Sequence, residues 1–110
     1  MKDQKAYCKL VRDRIPEIIE QSGKNCTLRT LNEEEYLLHL DKKLAEELHE
    51  YQESKSLEEI CDLVEVLRAV LSARGYTWEE MEHIRMQKHQ ERGGFEKRIL
   101  LETVTDREET

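Results

Sequence analysis

At three points where a segment of helical periodicity opens in this 110-residue chain, a residue that caps helices stands three positions ahead of a glutamate. Asn32 precedes Glu35, Ser56 precedes Glu59 and Thr77 precedes Glu80. In this pattern a side-chain oxygen and a glutamate satisfy each other's orphan backbone donors, and here each opens a segment of helical periodicity. Glycines fall where the second and third segments should stop, at Gly75 and at Gly93-Gly94. The spacing predicts helices over roughly 33–53, 57–74 and 78–92. A shorter helix is expected to start near Pro16, a residue suited to a first helical turn, and to stop at Gly23. Between Cys26 and Leu31 the residues alternate around two threonines, which predicts a short strand; Lys97–Val104 predicts another. The last residues, 105–110, are expected to fray. The expected fold is all-α, an antiparallel helix bundle with short peripheral strands, in one domain over 1–110.

Hydrophobic residues make up 37% of the chain, aromatics 5% and charged residues 39%, so a monomer has little with which to build a core. The first long helix carries a narrow stripe of Leu37, Leu40, Leu44, Leu48 and Tyr51. The second carries two stripes side by side: Ile60, Val64, Leu67 and Leu71, then Leu63, Val66 and Val70. Together they cover about half the circumference, so this helix should touch neighbours on two sides. A second copy of the chain is the expected extra neighbour, giving a homodimer or homotetramer whose core is completed by oligomerisation.

Other classes fall away. A net charge of −7 argues against a nonspecific partner of nucleic-acid polymers. No stretch approaches the roughly 18–20 apolar residues of a membrane span. Met1–Lys5 is charged and is followed by Lys9, Arg12, Asp13 and Arg14 rather than an apolar signal core, so a cytoplasmic protein is expected. Cys8, Cys26 and Cys61 contain no C-x-x-C pair, which disfavours both a disulfide framework and a zinc–thiolate site. Cys61 reads as a small buried apolar residue.

The acids are more informative when placed on the helices. Glu47 and Glu50 stack on one face near the end of the first long helix, and Glu59 and Asp62 stack near the start of the second. The polar turn at Ser54-Lys55-Ser56 is short, so the helices are antiparallel neighbours and the two pairs approach each other. Glu59 lies within the stripe of Leu63, Val66 and Val70, and Glu47 borders the stripe of its own helix. Unpaired charge there is expensive. In a chain this acidic, roughly five or six acid pairs at spacing three arise by chance, and capping alone would explain Glu59. Two facing pairs across a tight turn are harder to explain that way. Two unit charges about 4 Å apart repel by about 4 kcal/mol at an effective dielectric of 20, so a converged cluster must take up protons or a cation. All-oxygen ligation selects Mg²⁺, Mn²⁺ or Ca²⁺ over zinc. His49 points away from the face of Glu47 and reads as solvated.

Glu46-Glu47-x-x-Glu50 followed by Glu59-x-x-Asp62 resembles the E-E-x-x-E…E-x-x-D signature of the MazG-like all-α nucleoside triphosphate pyrophosphohydrolases. Lys9-Leu10-Val11-Arg12-Asp13-Arg14-Ile15-Pro16 and Glu91-Arg92-Gly93-Gly94-Phe95 resemble a compact branch related to phosphoribosyl-ATP pyrophosphohydrolase. The likeness covers about residues 7–102, with a shorter gap between Glu50 and Glu59 than in typical MazG domains. It implies Mg²⁺-dependent (or Mn²⁺-dependent) cleavage between the α- and β-phosphates of a nucleoside triphosphate, as nucleotide-pool housekeeping. Glu47, Glu50, Glu59 and Asp62 would hold the metal, and Glu46 would be an outer residue or the base for the attacking water. Arg12, Lys88 and Arg92 are the implied polyphosphate contacts, although each also reads as a solvated cation balancing nearby acids. Trp78 reads as a packing residue or a stacking platform for a base. Two alternatives stay open: phosphoribosyl-ATP hydrolysis in histidine synthesis, and a non-catalytic helical dimerisation module.

Overall fold

The helix starts at Glu33 and Leu57 follow their capping residues, Asn32 and Ser56. The computed structural model describes residues 8–108, so Met1–Lys5 and the last two residues of the expected frayed tail lie outside the described part. It contains four helices: α1 (Ile15–Gln21), α2 (Glu33–Ser54), α3 (Leu57–Ala73) and α4 (Trp78–Arg92). Pro16 sits in the first turn of α1. At α2 the capping box is complete: the Glu35 amide donates to Asn32 Oδ1 at 2.9 Å, and the Asn32 amide donates to Glu35 Oε1 at 3.4 Å. Arg29 grips the same Glu35 carboxylate with two N–H groups, at 3.2 and 2.7 Å. Gly75 and Gly93 lie just past α3 and α4 with φ of 85° and 80°, a left-handed backbone that glycine adopts without a Cβ clash.

The fold is all-α. Neither expected strand forms, and among the described residues there is none. Cys26–Leu31 and Lys97–Val104 run without regular secondary structure. A strand persists only where a second strand accepts its ladder of hydrogen bonds, and no described segment offers one.

The chain divides into two compact units, one running through Trp78 and the other from Glu79. The first is built on the packing of α2 against α3. Lys55 turns the corner in the left-handed region (φ 57°) while its amide closes the last turn of α2 on the Tyr51 carbonyl at 2.7 Å. Only Lys55 and Ser56 separate the helices, so the end of α2 meets the start of α3. At the other end of the pair, Arg74 reaches Asp41 at 3.7 Å.

Leu40 and Val66 are the buried apolar residues of this seam, at 3% and 8% exposure, with Leu37, Leu44, Leu63 and Val70 half-buried. Of the two α3 stripes, the one carrying Glu59, Leu63, Val66 and Val70 is the more buried. The other stays open: Ile60, Val64 and Leu67 are 42%, 39% and 44% exposed. Two sequence expectations need correction. Leu48 is exposed, because the α2 seam follows Leu40, Leu44, Glu47 and Tyr51. Cys61 is exposed because, at about 100° per residue, it lies roughly opposite Glu59 on the helix. All three cysteines are free thiols. Among the described residues, no helix is long and apolar enough to cross a membrane.

Candidate metal centre

The last turns of α2 and the first turns of α3 bring five carboxylates together. Ligand oxygens of Glu46, Glu47 and Glu50 lie within 4.8 Å of one another, and so do those of Glu47, Glu59 and Asp62. Glu47 belongs to both groups and sits at the bottom of the cluster, 6% exposed, the one buried charged residue among those described. Its Oε2 is buried without a hydrogen-bond partner, and so is Oε2 of Glu59. A buried acceptor left without a donor costs free energy that ionised neighbouring carboxylates cannot repay, because they only accept; a shared proton or a cation would repay it.

The start of α3 explains why Glu59 is available. Ser56 Oγ caps the helix by accepting the Glu59 amide at 3.3 Å, but the reciprocal half of the capping box is absent. The Ser56 amide instead donates to Ser54 Oγ at 3.2 Å. With that donor already satisfied, the Glu59 side chain is freed from capping and turns into the acid cluster. Capping therefore does not account for this residue.

Three cations sit at the rim. Lys9 Nζ donates to Glu46 Oε1 at 3.1 Å, and Arg12 donates to Asp62 Oδ1 at 2.7 Å. Lys43 Nζ lies 3.6 Å from Glu46 and 3.4 Å from Glu47 Oε1. Against five carboxylates these leave two negative charges, the complement of one divalent cation. Burial and the charge of Glu50 push the Glu47 carboxyl above the usual range, with Lys43 only partly opposing them. Burial also raises Glu59, assisted by the charges of Glu50, Asp62 and Glu47. Glu46 behaves in the opposite way. Burial pushes it up, but the hydrogen bond from Lys9 and the charge of Lys43 outweigh that and hold it below the ordinary value.

All five expected acids are thus assembled. Arg12 is beside them, as the partner of Asp62. Lys88 and Arg92 lie one turn apart on an exposed face of α4, within the second unit. His49 is exposed, 3.7 Å from Glu53. The guanidinium of Arg68 stands 4.6 Å over the Trp78 ring, so one face of that indole is already covered. Sequence reasoning passed over Lys43, although its i,i+3 and i,i+4 spacing to Glu46 and Glu47 was readable. It also left Lys9 without a partner. A shallow depression lined by Asn32, Glu33, Glu34 and Leu37 lies at the far end of α2 from the carboxylates.

An uncharacterized protein of Mycolicibacterium smegmatis (strain ATCC 700084 / mc(2)155) is similar to this chain, 56% identical over 41 residues. The match spans 37% of this chain and 42% of that protein, so less than half of the relative is covered. No family model and no solved structure matches the chain.

Proposed function

We propose that this chain is a divalent-metal-dependent nucleotide pyrophosphohydrolase of the MazG-like kind. It would cleave the α–β phosphoanhydride of a nucleoside triphosphate to a monophosphate and pyrophosphate. The observation that carries this reading is the pair of buried, unpartnered oxygens on Glu47 and Glu59 at the centre of an all-oxygen donor set. Glu47, Glu50, Glu59 and Asp62 are the residues to hold Mg²⁺ or Mn²⁺, since hard cations favour such donors. Once bound, the cation supplies neutralisation of phosphate oxygens and a lowered pKa for water.

The protein's own groups have separate roles. Glu46, kept ionised by Lys9 and Lys43, accepts a hydrogen bond from water and orients it. A carboxylate held this low is better suited to orienting water than to storing its proton. Arg12 offers a guanidinium fork for phosphate oxygens, and Lys88 and Arg92 offer a second basic face. The biological sense is removal of unwanted nucleotides in the cytoplasm.

We also read the exposed Ile60, Val64 and Leu67 stripe as the seat of a second copy, making a homodimer or homotetramer. The same stripe is the specific observation favouring a non-catalytic interaction module as the second reading. Incubation with a panel of nucleoside triphosphates, deoxynucleoside triphosphates and phosphoribosyl-ATP distinguishes these outcomes. Pyrophosphate and a monophosphate are the expected products. Orthophosphate release counts against α–β cleavage, and no release from any substrate favours the module.

A further inference from the structure

The segment ahead of α1 crosses the carboxylate cluster and places one cation on each helix. Lys9 reaches Glu46 on α2 at 3.1 Å, and Arg12 reaches Asp62 on α3 at 2.7 Å. Neither contact is enforced by burial: the Lys9 and Arg12 side chains are 55% and 56% exposed. The two pairs are not equivalent. Glu46 is shared with Lys43 and is not among the acids grouped with Asp62. Asp62 belongs to the Glu47, Glu59 and Asp62 group, whose ligand oxygens lie within 4.8 Å and include both unpartnered buried atoms. The segment therefore covers the outer acids while leaving the inner acceptors unpartnered.

We propose that Lys9 and Arg12 anchor an internal counter-ion strap, and that a divalent cation taking Asp62 displaces Arg12 and makes its guanidinium available to a polyphosphate. This rests on the metal-dependent reading above and adds an order to it, with cation first and anion second. Lys9 stays on Glu46 as the anchor, and Arg12 is the arm that moves. An exposed ion pair is weak, so a divalent cation with several carboxylate ligands can outcompete it. An arginine that merely orients a ligating carboxylate would behave oppositely, because its loss weakens metal affinity.

The test is Mn²⁺ binding to the full chain by calorimetry or electron paramagnetic resonance, with Arg12→Gln compared against Arg14→Gln. Arg14 removes the same charge two residues away, and its partner is Glu17, outside the cluster. The expected result is that Arg12→Gln binds Mn²⁺ about two- to fivefold tighter than Arg14→Gln, the fold-change corresponding to an exposed ion pair. With Mn²⁺ saturating, inorganic pyrophosphate should bind Arg12→Gln at least about threefold more weakly than Arg14→Gln, while Arg12→Lys recovers part of that loss. Equal or weaker Mn²⁺ binding by Arg12→Gln overturns the strap while leaving the metal centre standing. An absence of Mn²⁺ binding in every form, including the unmodified chain, overturns both.

Discussion

Glu47 and Glu59 meet across the α2–α3 turn with one carboxylate oxygen each buried and unsatisfied. The two residues belong to one group of ligand atoms, with Asp62 as the third member. Both carboxyls are held above their ordinary range, chiefly by burial and then by neighbouring negative charge. Such an arrangement opposes folding of the ionised, metal-free protein, and a bound cation would remove that cost. The resulting tension has measurable consequences.

Replacing Glu59 by glutamine removes one charge and introduces an amide donor beside Glu47 with nearly unchanged shape. The metal-free protein should become more stable, with a higher thermal midpoint in EDTA, and its response to Mg²⁺ should disappear. A midpoint unchanged or lowered in EDTA would mean that the cluster is already compensated.

The pH dependence of metal-free stability follows from the same pair. An ordinary glutamate titrates at about 4.3. Between that value and the raised native values of Glu47 and Glu59, the folded protein binds more protons than the unfolded chain. The stability contributed by their protonation is therefore fully present below the ordinary value and lost as pH rises through the raised ones. In EDTA the midpoint should fall as pH rises from the ordinary glutamate range through the raised values of Glu47 and Glu59, and Glu59→Gln should flatten that fall. Glu35 and Glu46, held below the ordinary range, have the opposite sign. Their contribution is present above the ordinary value and lost as pH drops through their native values, giving a separate acid limb. With Mg²⁺ saturating, the decline toward neutrality should vanish or reverse, because binding favours the deprotonated acids.

Helix positions were legible because capping is local. Asn32 with Glu35, Ser56, Pro16 and the positive-φ glycines Gly23, Gly75 and Gly93 each act within a few residues, and the helices start and end close to where those signals place them. The convergence of the acids was also legible, since two stacked pairs flank a two-residue connection. What could not be read depends on contacts remote in sequence or on turn geometry. Which face of each helix meets the other is a tertiary choice, and it turned Leu48 of α2 and Cys61 of α3 outward. The release of Glu59 from its cap depends on Ser54 supplying the acceptor for the Ser56 amide. Lys9 and Asp62's partner Arg12 reach the site across 37 and 50 residues, a distance that helical periodicity does not span.

The open α3 stripe makes a prediction about assembly. Ile60, Val64 and Leu67 present a row of half-exposed aliphatic side chains away from the buried seam. Val64→Lys should convert the assembly to monomers in analytical ultracentrifugation, while leaving the α2–α3 seam at Leu40 and Val66 intact. If the unmodified chain already sediments as a monomer at tens of micromolar, the stripe has another role.

The most direct test of the central claim is the thermal midpoint of the unmodified chain with and without Mg²⁺, alongside Glu47→Gln. At ten times the dissociation constant, binding to the native state adds about 1.4 kcal/mol, or roughly 6–11 °C for a domain of this size. The account predicts that shift for the unmodified chain, with Mn²⁺ acting similarly, and none for Glu47→Gln. An unmodified midpoint that does not move in millimolar Mg²⁺ or Mn²⁺, or an equal shift in Glu47→Gln, would contradict it.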